Sequence, residues 1–221
     1  MLDKLESVLG REEIIARHKY RNAAVLVVFY EESGELYLVF EKRARNTRQA
    51  GDWGFPGGIK EKGDATFEET AVRETMEELG VARKDVEVLG KLGTLVTPGG
   101  TLVEAYVGKL AVERIESLPF ARKEVEELVK VPFAFFMETP PETYELTVET
   151  HPYCIKDGIV VPFPAAELGL PTMYHQAWRG RNRKVYLYRY GDRIIWGIAG
   201  EIVYETVRRA RVALGGEEGE G

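Results

Sequence analysis

Residues 57–81, GGIKEKGDATFEETAVRETMEELGV, form a glycine bend running into a helix that carries its acids on one side. Thr66 followed by Glu69 has the spacing of a capping box, which predicts a helix start at Thr66. Gly80 sits where a C-terminal cap belongs, so the helix is predicted over about 66–79. At ~100° per residue, from ~3.6 residues per turn, Val72, Met76 and Leu79 share a core-facing stripe. Glu74, Glu77 and Glu78 gather on the opposite side, with Glu74 and Glu78 stacked at i,i+4. Like charges at that spacing cost a few tenths of a kcal/mol. One reading is an ordinary solvated face. The other is a divalent cation that reverses the sign of the repulsion. Mg²⁺ takes hard oxygen ligands and is commonly shared with substrate phosphates. Gly57, Gly58 and Gly63 let the backbone turn sharply and approach a ligand.

Outward from this stretch the chain alternates strands and helices. Ala23–Tyr30 and Leu36–Phe40 flank Glu-Glu-Ser-Gly and predict one hairpin. Val86–Val96 and Thr101–Leu110 flank Thr97-Pro98-Gly99-Gly100 and predict a second. Val125–Val131 reads as a strand followed by a short helix, and Tyr144–Val148 as another strand. Residues 151–184 are interrupted by Pro152, Pro162, Pro164 and Pro171 and read as an ordered surface excursion. Val185–Tyr190 and Arg193–Trp196 flank a compact turn. Ala199–Leu214 has helical character, Leu2, Leu5 and Leu9 suggest an amphipathic helix within residues 1–20, and residues 215–221 read as a frayed tail. The expected architecture is α/β: a mixed sheet covered by helices on both faces, in one domain spanning 1–221 with its core at 23–214.

Composition narrows the function. Thirty basic residues face 36 acidic ones, a net charge of −6. That disfavours a protein whose main task is gripping nucleic acid phosphates. A single cysteine, Cys154, rules out an internal disulfide and a cysteine-rich zinc site, and reads as a packed small hydrophobe. No apolar run approaches the ~18 residues of a membrane helix. The N-terminus is charged throughout and lacks a signal-peptide core. A soluble, cytoplasmic protein is expected.

The segment resembles the signature of Nudix hydrolases, G-x5-E-x7-R-E-U-x-E-E-x-G-U with U a bulky apolar residue. Gly58, Arg73, Glu74, Glu77, Glu78, Gly80 and Val81 match it. Asp64 stands where the signature has its first Glu, eight residues rather than seven separate it from Arg73, and Thr75 replaces the bulky residue. The Asp and the extra residue are similar to the coenzyme A pyrophosphatase branch. So is the basic stretch Glu41-Lys42-Arg43-Ala44-Arg45 through Arg48, although Ala50 and Asp52 depart from that branch's pattern.

The resemblance implies a Nudix-type α/β/α sandwich with a mixed β-sheet between helices. It also implies Mg²⁺- or Mn²⁺-dependent hydrolysis of a nucleoside diphosphate linked to another moiety, with coenzyme A ahead of ADP-ribose or an ADP-sugar. Glu74 and Glu78 would be the principal metal ligands, Glu77 would act directly or through water, and the Gly58 carbonyl would complete the set. Arg73 stays protonated and would orient the glutamates; Asp64 would orient them likewise or serve as a turn residue. Glu124, Glu126 and Glu104 are candidate general bases, with Glu124 preferred. Arg43, Arg45 and Arg48, with Lys42, would grip phosphate; Arg179, Arg181, Arg183 and Lys184 form a second basic run. Trp53, Tyr174 and Trp178 are candidates for stacking on a base, or are core. The expected partner is a small nucleotide conjugate, with no nucleic acid and no membrane, in a homodimer. A non-catalytic binding module on the same fold is the rival class, and retention of Glu74, Glu77 and Glu78 argues against it.

Overall fold

The computed structural model describes residues 14–45 and 49–215. Residues 1–13 of the expected N-terminal helix, residue Arg48 and all of the tail except Gly215 lie outside the described residues; of 14–20, only Arg17–Lys19 forms a single 3-10 turn, so the expected helix does not extend through them. Two compact units divide the chain: residues 1–141 with 187–221, and residues 142–186.

The first unit is built on a seven-stranded mixed sheet. Its central strand, β1 (Arg21–Glu32), contains the near-continuous apolar run Ala23–Tyr30, the pattern of a strand buried on both faces. Along one edge β1 runs parallel to β6 (Thr101–Leu110), from Arg21 opposite Thr101 to Tyr30 opposite Leu110. The antiparallel hairpin to β5 (Val86–Val96) turns at Thr97–Gly100, as predicted. Along its other edge β1 changes partner. Its C-terminal half pairs with β2 (Glu35–Arg43), and its N-terminal half with β4 (Gly57–Ile59). Beyond Val28 and Val39, β1 and β2 part, and the segment carrying β3 (Trp53–Gly54) and β4 fills the fork. Strand β7 (Val125–Pro132) closes the far edge of β2.

Helix α1 (Phe67–Leu79) covers one face, packing Ala71, Val72 and Leu79 against Ala24, Leu26, Val28 and Val39. Helices α2 (Phe133–Glu138) and α3 (Gly197–Ala213) cover the other. There Phe136, Ala199, Ile202, Val203 and Val207 meet Val25, Val27, Leu38 and Phe40. Each fully buried leucine or valine contributes roughly 1.5–3 kcal/mol. The architecture is the expected α/β/α sandwich. No helix among the described residues is long and apolar enough to cross a membrane.

Residues 142–186 hold β8 (Glu142–Leu146), β9 (Glu149–Thr150), β10 (Tyr153–Lys156), β11 (Ile159–Pro162) and β12 (Trp178–Arg179). The predicted strand at Tyr144–Val148 is seen two residues earlier. Strands β10 and β11 form a ribbon across Asp157-Gly158, both left-handed in backbone conformation. Cys154 is exposed on this ribbon, which corrects the expectation of a packed cysteine. A ribbon paired only with itself buries neither face. The strand β13 (Arg183–Tyr190) starts in this unit and ends in the first, where it turns at Gly191-Asp192 into β14 (Arg193–Trp196).

Gly80 ends α1 with φ 68°, and its N–H returns to the Met76 carbonyl. A Cβ there would lie 2.5 Å from the Pro119 carbonyl oxygen. Gly80→Ala is therefore expected to cost about 2 kcal/mol, from the left-handed backbone and the close approach together. Calorimetry should show Tm lowered by roughly 4–8 °C for a chain of this size.

Candidate active site

The start of α1 follows its sequence. The Thr66 hydroxyl accepts from the Glu69 N–H at 3.1 Å. The reciprocal arm lands one residue early, with Glu69 Oε2 accepting from the Ala65 N–H at 2.7 Å. Thr75, in place of the bulky residue, is buried and donates its hydroxyl to the Ala71 carbonyl at 2.7 Å.

Arg73 organises the polar side of the helix. Its Nε and one terminal nitrogen donate to the two oxygens of Asp64 at 3.0 and 3.1 Å. The same guanidinium reaches Glu74 at 2.9 Å and Glu77 at 3.2 Å. Asp64, 8% exposed, also accepts from the Thr70 hydroxyl and the Glu61 N–H, both at 2.9 Å. The Arg73 fork, aided by these two donors, holds the Asp64 carboxyl well below the usual carboxylate range, and Arg73 is raised in turn. Asp64 thus fixes the arginine rather than meeting the glutamates itself. The Glu74 carboxylate lies against Gly58: a Cβ on that glycine would sit 2.3 Å from Glu74 Oε1. Glu77 is exposed.

Glu78 departs from the helical-wheel reading. It does not lie with the solvated acids opposite the core; it is 5% exposed and faces the sheet. The cause is long-range. The fork between β1 and β2 places the β4 backbone beside this flank of α1, and the Gly57 N–H donates to Glu78 Oε2 at 2.8 Å. Beside Glu78 stands Glu41 of β2, 1% exposed, with no hydrogen-bond partner within bonding geometry for either carboxylate oxygen. The signature does not include Glu41. The signal was available: strand alternation from Val39 turns position 41 toward α1. The run Glu41-Lys42-Arg43 concealed it.

Burial pushes both Glu41 and Glu78 upward, and for Glu78 the charge of Glu41 adds to the rise. Glu74 is also raised, by burial ahead of the opposing Arg73. A carboxyl raised in the folded state contributes stability that is present below its unfolded pKa of ~4.3 and is lost as pH rises through the folded value. In chelator-treated protein, Tm at low ionic strength is expected to fall as pH climbs above ~4.3 toward neutrality. Glu78→Gln should flatten that slope. A slope of equal size in the variant would contradict the account of this pair.

The other candidates separate. Glu104, 1% exposed, accepts from Arg17 and Lys91 at 2.6 Å each and from Thr94 at 2.9 Å. Burial raises it, but these donors outweigh burial and leave it lowered. It is a paired structural carboxylate. Glu126 is exposed and paired with Lys42 at 2.8 Å. Glu124 is exposed at the entry to β7, where its carbonyl accepts from the Ala44 N–H at 2.8 Å, and its charge acts on both Glu41 and Glu74. Arg43 lies on the Glu41 face of β2 and acts electrostatically on Glu41 and Glu78. Arg45 lines a cavity of about 770 Å³ with Arg122, Lys123 and Glu126.

Trp53 is buried, with the Arg193 guanidinium 5.5 Å from its ring centre. Both border a second cavity of about 550 Å³ with Trp196 and Asp52. Tyr174, Trp178, Arg179 and Arg181 belong to the 142–186 unit, as do Arg183 and Lys184. There Tyr174 and Trp178 meet edge to face at 5.4 Å and Arg179 pairs with Glu149 at 2.6 Å.

Among the described residues, no three or more His, Cys, Asp or Glu side chains are grouped so as to hold a metal ion. Asp64 and Glu77 sit on Arg73, Glu78 sits on the Gly57 N–H, and Glu74 touches both Arg73 and Gly58. The donor set nonetheless suits a hard dication. Glu41 offers two buried oxygens, Glu78 and Glu74 act on it from nearby, and the missing side chain of Gly58 admits the Glu74 carboxylate against the backbone of the bend.

The NUDIX domain family model matches residues 20–142, more than half of the chain. The chain belongs to the Nudix hydrolase superfamily. An uncharacterized Nudix hydrolase, NudL, of Photorhabdus laumondii is 27% identical over 194 residues, covering 87% of this chain and 86% of that one. The mouse peroxisomal coenzyme A diphosphatase NUDT7 is 31% identical over 148 residues, 65% of this chain and 61% of that one. A MutT/nudix family protein from Enterococcus faecalis shares the fold, with TM-score 0.52 at 13% identity, over 96% of this chain and 70% of that one.

Proposed function

We propose that this chain is a Mg²⁺- or Mn²⁺-dependent diphosphatase acting on a nucleoside diphosphate linked to a second moiety, with coenzyme A as the substrate first in line. The observation that carries the reading is the pair of acids beneath the Gly57–Gly58 bend, Glu74 held by an Asp64-pinned Arg73 and Glu78 held by the Gly57 N–H. Glu74 and Glu78, with Glu77 direct or through water and the Gly58 carbonyl, would hold the cation. When bound, it would neutralise phosphate charge and lower the pKa of water.

The remaining work falls to the chain itself. Water attacks one phosphorus, the P–O–P bridge breaks, and the bridging oxygen leaves with the other phosphate, giving two phosphomonoesters. Glu124 would take the proton from the attacking water. Glu104 and Glu126 are less suited, being held by Arg17 and Lys91 and by Lys42. Arg43 and Arg45, with Arg48 and with Arg122 and Lys123 beside Arg45, would receive the substrate's phosphates. Coenzyme A is supported by the similarity to NUDT7 and by the basic segment before Phe55-Pro56-Gly57-Gly58. Ala50 and Asp52, which depart from that segment's pattern, favour ADP-ribose as the second reading. Residues 1–221 are read as one hydrolase domain with 142–186 inserted in it, cytoplasmic, and a homodimer.

The test is a substrate panel with Mg²⁺ and Mn²⁺, with products read by mass spectrometry. Release of 3′,5′-ADP and 4′-phosphopantetheine from coenzyme A is expected. Cleavage of ADP-ribose with coenzyme A untouched would replace the first substrate by the second. No cleavage of any diphosphate would overturn the reading.

A further inference from the structure

Glu41 is a buried acid of this region that the signature does not cover. Strand β2 places it opposite Gly54 of β3 and Leu128 of β7, so the backbone that carries it is held on both edges. Its side chain is inside the protein, on the face covered by α1; no nitrogen or hydroxyl donor reaches either oxygen, and the neighbouring polar group is the Glu78 carboxyl. A buried carboxyl left in that condition is unfavourable, and a buried carboxyl beside a second one is more so. An apolar side chain such as the neighbouring Phe40 would serve the packing better. Arg43, on the same face of the strand, acts on Glu41 and Glu78 through its field only. Glu78 has one oxygen occupied by the Gly57 N–H, and its carboxyl stands beside that of Glu41. Hard oxygens gathered without donors are what a small divalent cation requires.

We propose that Glu41 is a ligand of the divalent cation, contributed by β2 from the side opposite the helix that carries Glu74 and Glu78. The inference rests on the reading of Glu74 and Glu78 as metal ligands and adds a donor from outside the helical motif. A strand ligand would make the cation bridge β2 and α1, tying the helix to the sheet beside the fork that β4 fills.

The experiment is Mn²⁺ binding to full-length protein without substrate, read by electron paramagnetic resonance of free Mn²⁺ and by the Mn²⁺-induced rise in Tm. Wild type, Glu41→Gln, Glu41→Asp and Glu78→Gln are compared. Glu41→Gln is expected to weaken Mn²⁺ binding at least about tenfold and to lose most of the Tm rise, while its metal-free Tm equals or exceeds wild type. Glu41→Asp keeps the charge but withdraws the oxygens, and is expected to weaken binding too. It carries the test should Glu41→Gln fail to fold. Wild-type affinity in a folded Glu41→Gln or in Glu41→Asp would overturn the proposal. If Glu78→Gln alone loses Mn²⁺, Glu41 is wrong and the helix reading stands. If Glu78→Gln also binds as wild type, the metal reading itself falls.

Discussion

Glu78→Gln is expected to lower kcat by about 10³-fold, the loss of roughly 4 kcal/mol of charge stabilisation at the reacting phosphate. The same substitution should leave the metal-free protein at least as stable as the wild type. The amide oxygen can still accept from the Gly57 N–H, and the repulsion against Glu41 is gone. That combination separates a functional carboxylate from a structural one, whose loss would lower stability and activity together. Steady-state kinetics and thermal melts on one preparation give both readings. Unchanged turnover would remove Glu78 from the metal set.

Arg73→Ala should do the reverse and damage both properties. Its removal leaves Asp64 buried without its main counter-charge, and breaking a buried pair from one side costs about 3 kcal/mol. For a chain of this length that corresponds to a fall in Tm of roughly 6–12 °C. Glu74 loses its partner at 2.9 Å, so kcat should also drop by about 10–100-fold, the scale seen when groups that orient metal ligands are removed. The pH dependence gives an independent check. Asp64 is depressed in the folded state, so its contribution is present above the unfolded value of ~3.9 and is lost as pH falls through the folded one. Wild type should lose stability steeply below ~pH 4. In Arg73→Ala the loss on that limb should be smaller. Arg73→Lys keeps a charge but not the fork to both Asp64 oxygens, and should recover only part of the stability. Wild-type melting of Arg73→Ala at neutral pH would contradict the clamp.

The helix at 67–79 was legible because its ends are written locally: a threonine cap, a glycine that can turn left-handed, and an apolar stripe between them. The second hairpin was legible for the same reason, through its Pro-Gly-Gly turn. The direction of Glu78 was not, since it depends on β4 entering the fork between β1 and β2, a pairing between residues more than thirty positions apart. The parallel pairing of β1 with β6 is longer still. Glu41 was hidden differently: a local run of charges resembles a solvated strand end, and only the helix packed above shows that position 41 is covered. Arg73 was placed with its acids from the motif, whereas the role of Asp64 as its anchor required the loop from Glu61 to Thr66 to be seen folded back.

A hard dication is expected to sit among the acids beneath the glycine bend. The most direct measurement is anomalous scattering from crystals soaked in Mn²⁺. The account predicts a peak bounded by carboxylate oxygens of Glu74 and Glu78 and by the Gly58 carbonyl. Saturating Mn²⁺ with no peak there, and those carboxylates directed into bulk solvent, would contradict it.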